Sequence, residues 1–169
     1  SFLCLLPPMA SISSIKIMQG VFSFAAENNS LTLLDPTPTY ISSNSDPDAY
    51  KNETITSETK ISTGTCSKSE LEKYQLKQGQ VIITKDSESA NDIGIPAYVL
   101  ENQENTVCGY HLSMLETNKD VLLGIFLFRY IQSQFVKDFF ETNSYGLTRF
   151  GLGKPTIENM YIPKPSIQE

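Results

Sequence analysis

The sequence predicts an α+β domain with a mixed or antiparallel β sheet, and three observations carry that expectation. Short β-branched runs bounded by Gly, Pro and Asn fill the first two-thirds of the chain. One long helical pattern runs over about residues 120–141 and is followed by a glycine-rich loop. The regular strand–helix alternation of a parallel α/β sheet is absent.

Residues 2–18 are apolar around Pro7-Pro8, which forbid a continuous helix and predict a strand, a break and a second strand. Residues 21–34 turn at Asn28-Asn29. Residues 35–65 are polar and rich in Pro, Ser, Thr, Asn and Asp, with short strands expected at 39–42 and 54–61. A polar segment of that length inside a domain is a functional loop or poorly ordered. Ser67 with Glu70, and Ser69 with Glu72, have capping-box spacing and predict a short helix over 67–74. A turn at Gly79 leads into a strand over 81–85, and Gly94 and Pro96 mark another turn. Strands over 97–101 and 106–115, the second interrupted at Gly109, flank the polar turn 102–105 and read as a hairpin.

Over 119–141, Leu122, Phe126, Ile131, Phe135, Phe139 and Phe140 share one broad face at helical spacing, with Asp120 as the N-cap. Aromatics on such a face are core residues. Residues 144–165 follow, with Gly146, Gly151 and Gly153 close together and Thr148, Arg149 and Phe150 between them. The glycines make this a shaped loop. Arg149 on it is either an anion-reading device or a solvated side chain on a tight turn. Residues 156–162 alternate like a closing strand.

The chain has 169 residues, one domain's worth, and 40% of them are hydrophobic, which excludes wholesale disorder. A net charge of −6 argues against a nonspecific nucleic-acid binder. The acidity is concentrated over 81–116, with six acids to one base, whereas 117–169 carries five acids to six bases. That last part can face a polyanion. Three widely spaced cysteines (Cys4, Cys66, Cys108), no CxxC pair and a single histidine point to free thiols in a reducing compartment rather than disulfides or structural zinc. The apolar run 121–128 is too short to span a bilayer and Arg129 closes it, so a soluble cytoplasmic protein is expected. A start at Ser and an end just after a proline-punctuated strand suggest a piece of something longer.

The signals for catalysis are thin. His111, with Cys108 three residues before it, lacks any nucleophile-elbow or cysteine-protease surroundings. Asp86, Glu88 and Asp92 cluster beside Lys85 after a strand, which admits a small metal-dependent nuclease or hydrolase using Asp86 and Glu88. No phosphate-binding glycine loop occurs, and no cofactor is expected.

An ordered set of motifs says more. The strand entry over 76–82 reads LKQGQVI, followed by Ile93-Gly94, the strand over 108–112 (CGYHL), the long helix, Gly146 with Thr148 and Arg149, and a proline-rich end before Glu169. This set resembles the target recognition domain of type I restriction-modification specificity subunits, with Gln80 in place of that family's commoner aspartate. The resemblance covers about residues 40–169 and implies one such domain, cut before the family's conserved helix. Residues 1–39 match poorly and form an N-terminal segment of uncertain role, expected to pack on the same domain. The resemblance implies a non-catalytic module that reads one half of a bipartite site in double-stranded DNA. It directs partner methyltransferase (modification) subunits and, through them, the restriction subunit. A second recognition domain, in the same full-length chain or brought by dimerisation, would read the other half. A related recognition domain of a type II enzyme that both cuts and methylates is the alternative. DNA-contacting candidates are Lys85, Ser87, Tyr110, His111, Thr148, Arg149 and Lys154, with the polar segment 35–65 as a further source of base contacts.

Overall fold

The computed structural model describes residues 9–10, 15–19, 39–41, 53–59, 61–63 and 66–163. In chain order the strands are β1 Met9–Ala10, β2 Ile15–Gln19, β3 Thr39–Ile41, β4 Thr54–Ile55, β5 Ser62–Thr63, β6 Val81–Thr84, β7 Asp86–Ser87, β8 Pro96–Val99, β9 Thr106–Cys108, β10 Leu112–Thr117, β11 Phe150–Gly151 and β12 Ile162–Pro163. The helices are α1 Lys68–Tyr74, α2 Gly124–Ile131, α3 Gln134–Asn143 and α4 Lys154–Glu158.

A five-stranded sheet in the order β2-β10-β6-β8-β4 forms the centre. Its pairings are antiparallel except for the parallel pair β4 and β8. The sequence VIIT of β6 is buried throughout because both faces of the sheet are covered. Val81 and Ile83 point to the helices with Leu115, Leu127, Phe128, Ile131 and Phe140. Ile82 points the other way, into a smaller core with Ile55, Leu76, Val99 and Met114. The pleat alone produces this division, since successive side chains alternate between faces. The fold class is therefore the expected α+β with a mixed sheet.

The predicted long helix is broken. Helix α2 ends at Ile131, and Ser133, with extended backbone, caps α3 by accepting from the Val136 N–H. Ser is better placed at a helix start than inside one. The break shifts the helical phase, so Val136 and Phe140 are buried while Phe135 is 60% exposed, contrary to its expected place in the core. Asp120 caps nothing: its own N–H donates to Asn118 Oδ1, and Leu123 precedes the first helical residue. That first residue is Gly124, where any Cβ would collide with the Gly79 carbonyl, so the Gly79 turn and α2 cross in direct backbone contact.

The expected hairpin over 97–115 does not form. Strand β8 pairs with β6 and β4, whereas β9 pairs in parallel with β3 in a separate three-stranded sheet. The intervening polar turn, with Asn105 at φ 55°, carries the chain from one sheet to the other. Of the expected strand over 54–61 the structure has β4 at Thr54–Ile55, followed by a turn at 57–59 held by the Thr59 N–H on the Thr56 carbonyl, and β5 begins only at Ser62. The expected closing strand over 156–162 is instead the end of helix α4 at 156–158 and a short connection, with strand, β12, only from Ile162. Pro155 fits the first turn of α4, where an N–H would lack a helical partner, and Ile157 and Met160 are buried at helical spacing. The expected capping box is present: Ser67 and Glu70 exchange hydrogen bonds at the start of α1. Most of the 35–65 segment lies outside the described residues, as does the first strand expected before Pro7.

Candidate functional site

Past Thr84 the chain leaves the central sheet. The Lys85 and Asp86 N–H groups both donate to the His111 carbonyl, at 2.8 and 3.3 Å, and the Leu152 N–H donates to the Lys85 carbonyl at 2.8 Å. Strand β7 then pairs with β11, Asp86 opposite Gly151 and Ser87 opposite Phe150. Three distant segments, around residues 86, 111 and 150, are thereby fastened backbone to backbone.

Their side chains form one cluster. Lys85 is only 8% exposed. Its Nζ lies 2.7 Å from Asp86 Oδ2 and 4.4 Å from the Tyr110 ring centroid, so a carboxylate and an aromatic face replace the water it has lost. Asp86 Oδ2 is also 3.6 Å from His111 Nδ1. The Tyr110 and His111 rings meet edge to face at 5.1 Å. Arg149 closes the chain of contacts, its Nη2 at 3.2 and 3.3 Å from the two ring nitrogens of His111. Lys85 and Asp86 cancel each other's charge. Arg149 rests on a ring and keeps its own.

The loop that presents Arg149 is closed at its neck by two hydrogen bonds between Tyr145 and Gly151, at 3.1 and 2.9 Å. Gly146 has φ +125°, and a Cβ there would collide with the Arg149 carbonyl, so the loop's shape depends on that glycine. Gly151 leaves room for Asp86, whose Oδ1 would lie 3.1 Å from any added Cβ. Between the glycines Thr148 and Arg149 are exposed, and Leu147 is 97% exposed.

Burial is the main cause holding the His111 imidazole below its ordinary range; the positive charges of Arg149 and Lys85 add to it, and Asp86 opposes them. A neutral ring keeps an acceptor nitrogen for the guanidinium. As pH falls below about 6.5, the unfolded chain takes up a proton that the folded ring resists. The unfolded state then binds more protons, so stability is full above that pH and declines until the lower folded value is passed. Replacing His111 with Asn is expected to flatten the decline in urea midpoint between about pH 7.5 and about pH 5. An undiminished decline in the variant contradicts this.

Lys85, Tyr110, His111 and Arg149 thus come together, with Thr148 beside them on the loop. Ser87 lies next to the cluster on β7, where it supports a turn: its Oγ accepts from the Ser89 N–H at 3.2 Å and faces Asp92 Oδ2 at 3.5 Å. Lys154 stands apart, paired with Glu158 on the surface of α4. Asp86 and Glu88 do not act as a pair: Asp86 is engaged by Lys85 and His111, and Glu88 is exposed. Among the described residues no group of three or more His, Cys, Asp or Glu side chains is arranged to hold a metal ion. The Cys108 thiol is buried, donates to the Gly109 carbonyl and is pushed up to about 12 by desolvation, so it stays protonated. No helix among the described residues is long and apolar enough to cross a membrane.

No protein-family model and no curated protein matches the sequence. Solved structures do. A chain from a type I R-M system, solved to explain complex assembly and conformational transition, superposes with a TM-score of 0.64 at 14% identity over 99% of this chain. The HsdS subunit from Thermoanaerobacter tengcongensis gives a TM-score of 0.62 at 15% identity, again over 99%. The fold is that of about a third of a type I specificity subunit. The present chain spans 36% and 35% of the length of those two chains. The type IIG restriction endonuclease BpuSI contains a similar fold, with a TM-score of 0.52 at 11% identity over 92% of this chain and 24% of its own.

Against that specificity-subunit fold, two features of the site escaped sequence reasoning. Asp86 organises the cluster, although its only sequence signal, an acid beside Lys85, pointed to metal chemistry. Leu147 is the most exposed large apolar residue described, and its position between Gly146 and Thr148 was the available hint.

Proposed function

We propose that the chain is a DNA target-recognition module, a non-catalytic part of the specificity (S) subunit of a type I restriction-modification system. It reads one half of a bipartite site in double-stranded DNA and directs partner methyltransferase subunits and, through them, the restriction subunit, in the cytoplasm. The observation that carries this reading is the cluster of Lys85, Tyr110, His111 and Arg149 with the glycine-closed loop beside it, set on a fold shared with specificity subunits. The recognition domain takes in residues 40–169 together with the preceding segment, a reading supported by the pairing of β2 with β10.

A net charge of −6 is compatible with this role. Phosphate contacts supply most of the sequence-independent affinity, and partner subunits can provide them, whereas base reading needs only a few well-placed donors and acceptors. The likeness to BpuSI supports one alternative, the recognition domain of an enzyme that both cuts and methylates.

The test is selection from a pool of randomised duplexes by the full-length protein, with and without its modification subunits. Enrichment of one bipartite sequence by the assembled complex is the expected result. Cleavage and methylation by the full-length protein alone would favour the alternative. Failure to enrich any sequence would overturn both.

A further inference from the structure

We propose that Arg149 reads a guanine, offering its free guanidinium edge to O6 and N7 in the major groove while His111 holds it from behind. This rests on the DNA-recognition reading above and adds the base, the groove and the contact.

Arg149 is restrained by a ring and not by a counter-charge. Among the described residues no carboxylate pairs with it, in contrast to Arg129, which lies 3.6 Å from Glu53 and bonds Gln132 at 3.0 Å. Its Nη2 sits on His111, which leaves Nε, Nη1 and the second hydrogen of Nη2 as outward donors. His111 is fixed in turn by Tyr110 at its edge, by Asp86 beside Nδ1 and by its own carbonyl, which accepts from Lys85 and Asp86. A side chain already held in place loses less rotamer freedom on binding. It also imposes a direction, which a simple phosphate contact does not need.

The neighbours narrow the choice of base. A pair of donors matches only an edge that presents two acceptors, and in the major groove that edge belongs to guanine; adenine and cytosine each present an amino donor. Reading those two bases calls for an acceptor, and the one carboxylate in the cluster is turned inward, with Oδ2 on Lys85 and Oδ1 against Gly151. Lys85 is itself held by Asp86 and Tyr110 and barely exposed, so it positions the cluster instead of reaching a base.

The experiment compares the complex of the full-length protein and its modification subunits with its Arg149→Ala, Arg149→Lys and His111→Asn forms. Each is assayed by selection from randomised duplexes and by binding at several salt concentrations. Expected for Arg149→Ala is a loss of about 10- to 100-fold in preference at one guanine of one half-site, every other position and the salt slope being unchanged. Arg149→Lys retains part of that preference, because it keeps the charge and loses the fork. His111→Asn weakens the same position and no other. Equal weakening across all sequences with a salt slope smaller by about one unit would mark a phosphate contact and overturn the proposal. An unchanged guanine preference would overturn it too. A wild-type complex that selects no sequence would bring down the recognition reading itself, a failure visible before any variant is examined.

Discussion

Replacing Gly94 with Ala is expected to destabilise the domain by about 3 kcal/mol, combining left-handed backbone strain with overpacking. Gly94 sits at φ +75°, where its N–H donates to the Thr84 carbonyl at 2.9 Å. A Cβ there would run into the ring of Phe140, which is 1% exposed and packed among the helices and the sheet. Neither partner has room to yield: the turn is tied to β6, and the ring is enclosed by the main core. Urea denaturation gives the measurement, and a loss under about 0.5 kcal/mol, the range of a neutral surface change, would show that the contact is not as close as described. The double variant Gly94→Ala with Phe140→Ala should cost less than the sum of the two single changes, because the clash needs both groups.

The second large effect is on binding. Gly146→Ala is expected to reduce the affinity of the assembled complex for its DNA by about tenfold or more, equivalent to about 1.4 kcal/mol, while leaving the global unfolding midpoint nearly unchanged. At φ +125° an alanine is strained, and its Cβ would collide with the carbonyl of Arg149, so the loop must reopen at the residue that presents the guanidinium. Residues 147–149 are exposed, so little core packing depends on them. Titration of labelled duplex with the complex, run beside a thermal melt, separates the two effects. Full affinity in a variant with a normal melt would remove the loop from the DNA-reading surface.

The parts of this fold legible in the sequence are those fixed by local chemistry. VIIT announces a strand enclosed on both faces, and Ser67 with Glu70 announces a helix start, since each signal lies within a few residues. The phase break at Ser133 was hidden because Phe135, Phe139 and Phe140 continue a plausible helical face even though the chain buries Val136 instead of Phe135. The false hairpin had a similar cause. Adjacent strands usually pair, and nothing in residues 102–105 reveals that β8 and β9 belong to different sheets. The site was half legible. Lys85, Tyr110, His111 and Arg149 stood out as residue types, but their meeting depends on β7 pairing with β11 across more than sixty residues, which no local pattern encodes. Asp86 is legible by its charge and not by the Lys85 ammonium and His111 ring that engage it.

One measurement tests the proposed reading face most directly. A photo-reactive leucine analogue placed at Leu147, in the full-length protein bound with its modification subunits to their selected duplex, should crosslink to bases within one half-site. The crosslinks should map beside the guanine whose preference depends on Arg149. Crosslinks confined to the partner subunits, or none to DNA while the duplex remains bound, would place the loop away from the groove and contradict the account.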